Sequence, residues 1–138
     1  MNRNVPPARP QRQMTTLVRS GVWELELPFT KQLSLNDRQH WAVKAKHVKE
    51  WRDAALVLAR AAKISPCRRI KVELHYEPRT EQRRDPDNLV ASLKPLVDGL
   101  VDAGVVADDT EAYVERAWPV IHRATGKPGR FWMRVEAL

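Results

Sequence analysis

Apolar and polar residues alternate strictly over Val22–Leu27, with Trp23, Leu25 and Leu27 set against Glu24 and Glu26. A period of two marks a strand with one buried face, and Pro28 ends it. The period then changes. From about Asp37 to Lys63, the residues Trp41, Ala45, Val48, Trp51, Ala55, Leu58 and Ala62 recur at helical spacing on one side. A polar loop precedes this helix, and Ser34 or Asn36 supplies its cap. Both tryptophans are expected in the core rather than as platforms for stacked bases. Lys44, Lys46, Lys49, Arg52 and Arg60 fall largely off the stripe, on a face that suits solvent and phosphate contact equally.

Alternation returns at Arg69–Tyr76, where Ile70, Val72, Leu74 and Tyr76 face Lys71, Glu73 and His75, and the polar run Pro78 to Arg84 follows as a loop. Leu89, Leu93, Leu96, Val97 and Leu100 then mark an amphipathic helix that Gly104 ends in a left-handed cap. Pro95 lies within it. A helix starting at Asn88 loses the bond to the Ala91 carbonyl and kinks, at about 3 kcal/mol, whereas a cap at Ser92 would leave Pro95 harmless in the first turn. The longer, kinked helix is expected. Lys94 and Asp98 lie on its face away from the apolar stripe, with Asp87 on the same side. A weak strand across Ala112–His122, at a sheet edge because of Pro119, and a clearer one at Phe131–Ala137 complete the pattern, with the turn Ala124 to Gly129 closing a hairpin between them. The order strand, helix, strand, helix, strand, strand predicts an α/β (α+β) fold, a mixed β-sheet with two main helices packed on it.

At 138 residues the chain is expected to form one domain, residues 21–138, behind a flexible basic arm. Residues 1–20 carry Arg3, Arg9, Arg12 and Arg19, three prolines and no acid, too little apolar surface to order themselves. A net charge of +7 and a pI of about 10 point to an anionic partner, nucleic acid first. One cysteine, Cys67, excludes a disulfide framework and a cysteine zinc site and fits a reducing cytoplasm. No apolar run reaches the roughly 18 residues that a membrane span needs.

The charge is not evenly spread. Residues 1–84 carry a net +10, residues 85–109 a net −5 and the remainder +2. Six of the eight aspartates (Asp85, Asp87, Asp98, Asp102, Asp108 and Asp109) fall in that central window, with Lys94 its only cation. Carboxylates repel a polyanion unless a divalent ion sits between them. Magnesium takes hard oxygen ligands and keeps several waters. Asp85 and Asp87 at a strand end, with Asp108-Asp109 after the helix, can supply such ligands, and Lys94 can offset charge in a phosphoryl transition state. Each motif also has a structural use: Asp-Pro-Asp-Asn and Asp-Asp-Thr are turn and cap sequences, and Lys94 with Asp98 is an ordinary i, i+4 pair. Their coincidence in a cationic chain favours a metal. The four histidines show no ligand spacing.

The run Arg83-Arg84-Asp85-Pro86-Asp87-Asn88-Leu89, then Lys94 with Asp98, then Asp102 through Asp108-Asp109, resembles the signature of the RusA family of Holliday junction resolvases. The likeness is loose elsewhere, through the Trp23-to-Phe29 strand, Asn36 and the Trp51 helix, and it spans about residues 22–137. It implies a Mg2+-dependent endonuclease (Mn2+ being the other candidate ion), homodimeric, phage- or prophage-encoded, cutting four-way junctions symmetrically. By position it implies Asp85, Asp87 and Asp109 as metal-binding and catalytic carboxylates, Asp108 as a further ligand or its support, Lys94 as the catalytic lysine and Arg84 as a DNA contact. Three extra residues separate Asn88 from Lys94 relative to the compact motif, which turns the lysine by about 60° and moves it about 4.5 Å along the helix. Arg83, Arg79, Lys71, Lys44, Lys46 and Lys49 are the remaining candidate DNA contacts. Two alternatives stay open: a related metal nuclease acting on flaps, forks or RNA, and a non-catalytic basic DNA-binding accessory protein.

Overall fold

The alternating segment after Ser65-Pro66 forms β2 (Ile70–Glu77), the centre of the sheet. In this computed structural model, which describes residues 17–30, 41–82 and 86–138, β2 pairs antiparallel along its whole length with β5 (Arg130–Ala137). In turn, β5 pairs antiparallel with β1 (Val22–Leu27). The other edge of β2 carries two short parallel strands in succession: β3 (Val114–Arg116) beside Ile70–Val72, and β4 (Val120–Ile121) beside His75–Tyr76. Helix α1 (Trp41–Ala61) lies between β1 and β2 in sequence, and α2 (Pro86–Asp102) between β2 and β3. The protein is therefore α+β, a mixed five-stranded sheet with two helices.

Residues paired directly across strands point to the same face, so the register sorts the sheet into two sides. Leu25, Leu27, Ile70, Val72, Leu74, Tyr76, Phe131, Met133 and Val135 are buried on one side. Glu24, Glu26, Lys71, Glu73, His75, Glu77, Trp132 and Arg134 alternate with them and are partly or fully exposed on the other. The buried side meets the helices. α1 contributes Trp51, Ala55 and Ala59; α2 contributes Leu89, Leu93, Leu96, Val97 and Leu100. Phe29 stacks on Trp51 at 4.7 Å, Trp51 meets Phe131 edge-on at 5.4 Å, and Phe131 stacks on Tyr76 at 4.2 Å. These rings tie the segment after β1 to α1, β5 and β2.

The longer form of α2 is present. It begins at Pro86, which suits a first helical turn because its fixed φ is already helical and its missing N–H has no partner there. Pro95 sits inside the helix, and the Ser92 hydroxyl does not cap it but donates to the Asn88 carbonyl at 2.9 Å. Gly104, at φ +79°, ends it as expected: the Gly104 N–H reaches the Val101 carbonyl at 2.9 Å and the Val105 N–H the Leu100 carbonyl at 3.0 Å. Helix α1 closes in the same way two residues early, because Lys63 takes φ +52° and the Ile64 N–H returns to the Ala59 carbonyl.

Three expectations are corrected. The hairpin between the last two strands is absent, since β4 and β5 lie on opposite edges of β2 and the chain from His122 to Gly129 crosses over. The edge of β2 takes the parallel partners instead: the Ala117 N–H donates to Val72 and the His122 N–H to Tyr76. The strand expected across Ala112–His122 is consequently two fragments, parted at Ala117 to Pro119. Trp41 is not core. It is 76% exposed, and Ala45 and Ala62 are exposed too, because full burial in α1 begins only at Trp51. Of the expected arm, residues 1–16 lie outside the described residues, as do the caps Ser34 and Asn36. Val18 is docked, bridging to Cys67 with its N–H on the Pro66 carbonyl at 2.9 Å.

The two helices touch most closely at Gly99, where an added Cβ would stand 2.2 Å from the Arg52 carbonyl oxygen and 2.7 Å from Ala55 Cβ. Backbone cannot yield cheaply. Gly99→Ala gains about 1 kcal/mol of helix propensity but incurs an overpacking penalty of about 1–3 kcal/mol or more, so we expect a net loss of stability, read as a lower urea midpoint in chemical denaturation.

Candidate carboxylate–lysine site

The crossover from β2 through α2 to β3 brings the two ends of the acidic window to one helix. Asp87, exposed in the first turn of α2, sits where the helix dipole favours an anion. After the Gly104 cap, buried Val105 and Val106 anchor the returning chain. A turn in which the Tyr113 and Val114 N–H groups both bond the Thr110 carbonyl at 2.9 Å then leads into β3. Asp108 and Asp109 are held between these anchors. The Asp108 carboxylate accepts the Asp109 N–H at 2.7 Å, and Arg116 from β3 donates to the Asp109 carbonyl at 2.9 Å.

Lys94 joins this loop to the helix. Its Nζ donates to Asp109 Oδ2 at 2.5 Å and to Asp98 Oδ1 at 2.9 Å. Asp98 is shared in turn with α1, its Oδ2 lying 4.0 Å from Arg52 Nη1. Arg52 grips both oxygens of Asp102 at 2.6 and 2.8 Å. The result is an alternating series, Asp109, Lys94, Asp98, Arg52, Asp102, running from the β3 loop across both helices. The Lys94 ammonium holds the Asp109 carboxyl below its ordinary value of 3.8. Asp109 first, then Asp98, raises Lys94 above 10.5. Arg52 likewise holds Asp102 down. Side-chain exposures of 62% for Lys94 and 29% for Asp109 leave these pairs open to solvent screening, so they fix positions more than they stabilise the fold.

Of the residues singled out in the sequence, the structure brings together Lys94, Asp108 and Asp109. Asp87 lies on the same side of α2 as Lys94 but two turns earlier, about 10 Å along the axis. Asp85, Arg83 and Arg84 lie outside the described residues. Lys44, Lys46 and Lys49 are carried by the first half of α1, where Lys49 pairs with Asp53 at 2.6 Å. Lys71 is on the far face of the sheet, 3.9 Å from Glu115, and Arg79 is exposed in the loop after β2. Among the described residues the candidate cations therefore do not form one surface. Asp98, Arg52 and Arg116 join the site without having been assigned to it. The i, i+4 spacing of Lys94 and Asp98 was a visible signal, whereas the Arg52 and Arg116 contacts depend on packing between distant segments.

Among the described residues no three His, Cys, Asp or Glu side chains are grouped as metal ligands. Magnesium does not require such a cage, since one or two carboxylates plus water and substrate phosphate suffice. Asp87, Asp108 and Asp109 are accessible hard-oxygen donors that suit it in kind.

By its fold the chain is an α+β protein, and the described residues contain no helix long and apolar enough to cross a membrane. No family model matches the chain. It is 35% identical over 99 aligned positions to an uncharacterized protein of Xylella fastidiosa (strain Temecula1), the match covering 65% of this chain and 65% of that protein.

The ion pair sets a pH window. A carboxyl whose folded pKa is depressed contributes stability above its ordinary 3.8, lost as pH falls through the lowered value. A lysine raised above 10.5 contributes below that value and loses its contribution as pH rises through the raised one. Between the two ordinary values the pair is constant. In a carbon-detected NMR titration we expect the Asp109 carboxyl to titrate below 3.8, and its midpoint to rise in Lys94→Met; an unchanged midpoint would show that Lys94 does not hold it.

Proposed function

We propose that the protein is a Mg2+-dependent endonuclease of the RusA type that resolves four-way DNA junctions by paired symmetric nicks. The observation that carries this reading is the meeting of Lys94 with Asp109 across the β2–α2–β3 crossover. It brings the Asp108-Asp109 end of the acidic window to the Lys94 face of α2, on the same side as Asp87 two turns earlier. A basic chain that bound nucleic acid passively would gain nothing from carboxylates set beside its substrate's phosphates.

In this reading Asp85, Asp87 and Asp109 hold the metal, with Asp108 beside them. Magnesium, when bound, supplies Lewis-acid polarisation of the phosphodiester and a more acidic water. The chain's own groups position the rest. Arg116 and the Asp108 carboxylate fix the backbone around Asp109. Asp98, steadied by Arg52, keeps the Lys94 ammonium over the site, where it can oppose the charge that grows on the phosphate oxygens. Two copies related by a two-fold axis would present two such sites to strands of like polarity, which symmetric nicking requires. The second reading, a DNA-binding protein without nuclease activity, is favoured by one observation: Lys94 already satisfies an oxygen of Asp109.

The deciding experiment is cleavage of an end-labelled four-way junction beside flap, fork, RNA and linear duplex substrates, in magnesium and in EDTA. We expect paired nicks in the junction that need magnesium, vanish in Asp87→Asn with binding retained or tightened, and slow about 100- to 1000-fold in Lys94→Met, the range for removing one preorganised charge donor. Normal cutting by Asp87→Asn would overturn the metal-site reading. Binding without cutting under any divalent ion would favour the second one.

A further inference from the structure

The first ten residues of α1 bury no side chain fully, although Trp41, Ala45 and Val48 continue an apolar stripe there. They floor an open groove of about 460 Å³ whose other lining residues are Lys44, Lys49 and Arg52. Trp41 is 76% exposed. Among the described residues the lining holds three cations and no acid, with Lys49 paired to Asp53 just outside it, and Arg52 belongs both to the groove and, through Asp98 and Asp102, to the carboxylate–lysine site. The groove and the carboxylate–lysine site therefore adjoin at Arg52.

We propose that this groove binds an unpaired stretch of a nucleic-acid strand, one base stacked on the Trp41 indole and the adjoining phosphates on Lys44 and Lys49. The proposal rests on the nucleic-acid reading above, but not on cutting. The volume of the groove lies within the range of ligand sites, about 300–1,000 Å³. One large aromatic between cations matches what single strands select, because every base has a π-face and each nucleotide a phosphate. A base pair locked in a duplex cannot offer that face. The chemistry therefore favours strands open at a branch point, where a junction or fork has them.

The test is equilibrium binding of a labelled short oligothymidylate, and of a duplex with equal phosphate number, in EDTA so that no cleavage intervenes. Stacking of about 1–3 kcal/mol per base corresponds to about 5- to 150-fold in affinity. Trp41→Ala should lose that much for the single strand and little for the duplex, while Trp41→Phe recovers most of it. Lys44→Gln should lower the slope of log affinity against log salt by about 0.7, the loss of one phosphate contact on a single strand. Circular-dichroism melting verifies that the exposed substitutions leave the fold intact. Wild-type affinity in Trp41→Ala, with the wild type binding normally, overturns the subsite alone; no binding of either nucleic acid by the wild type overturns both this and the nucleic-acid reading. An oligoglutamate that competes and depends on Trp41 as strongly, or a change of oligomeric state in Trp41→Ala, would assign the groove to an acidic peptide or to a second copy and overturn the proposal.

Discussion

Where α2 crosses α1 there is no room for a side chain, because the Arg52 carbonyl oxygen occupies the place a Cβ at position 99 would take. That contact determines what the polar faces of the two helices can do. With the backbones so close, the Arg52 side chain is delivered to Asp98 and Asp102, which flank Gly99 on α2. Asp98, held from one side by Arg52, presents its other oxygen to Lys94, one turn back along the helix. Lys94 is then within reach of Asp109 on the loop that leads to β3. A packing constraint between apolar surfaces thus becomes an ordered row of charges. The row needs the sheet as well, since Arg116 reaches Asp109 from β3, whose place is set by its parallel register with β2.

Much of this was legible in the sequence where a residue's neighbours are set by local spacing. Strict alternation located β1, β2 and β5; apolar recurrence located the two helices; and Gly104 announced the end of α2 because only a left-handed residue closes that cap without strain. Legibility failed where partners are distant. The segments that became β3 and β4 contain only 3 and 2 residues in strands, too few for a period, and both answer to the free edge of β2 rather than to their sequence neighbour β5. Trp41 misled for a related reason. The helical stripe runs the length of α1, but the surface that covers it fully begins at Trp51, and periodicity carries no information about where a packing partner stops. At the site, the spacing of Lys94 and Asp98 could be read directly, whereas Arg52 could be placed only once the Gly99 crossing was known.

The electrostatics of the site are those of a surface, not of an interior. Lys94 is 62% exposed on its side chain and Asp98 22%, so water screens their attraction and the net stabilisation is small. What the arrangement does is restrict geometry. Two carboxylates within hydrogen-bond distance of one ammonium narrow the positions that the Lys94 side chain takes. Asp109 is engaged by Lys94 at Oδ2 and by Asp108 as well, so a hydrated divalent ion would have to share this carboxylate with the ammonium.

The far face of the sheet is organised differently from the helix side. There Glu73 accepts from His75 Nε2 at 2.6 Å, and His75 Nδ1 faces His122 Nε2 at 2.8 Å. His75 is thus held at both ring nitrogens, by Glu73 and by His122. Trp132 lies against the two imidazoles at 5.0 and 4.9 Å, and Arg130 covers it at 4.4 Å while pairing with Glu26 at 2.6 Å. Neighbouring strands thereby satisfy one another's polar groups without a second layer, as an antiparallel pair with one solvated face allows, and the His75–His122 contact adds a tether to β4, whose ladder is only 2 residues long. On the helix side, by contrast, the carboxylates of α2 and of the loop before β3 are held at the surface by Lys94 and Arg52 rather than buried.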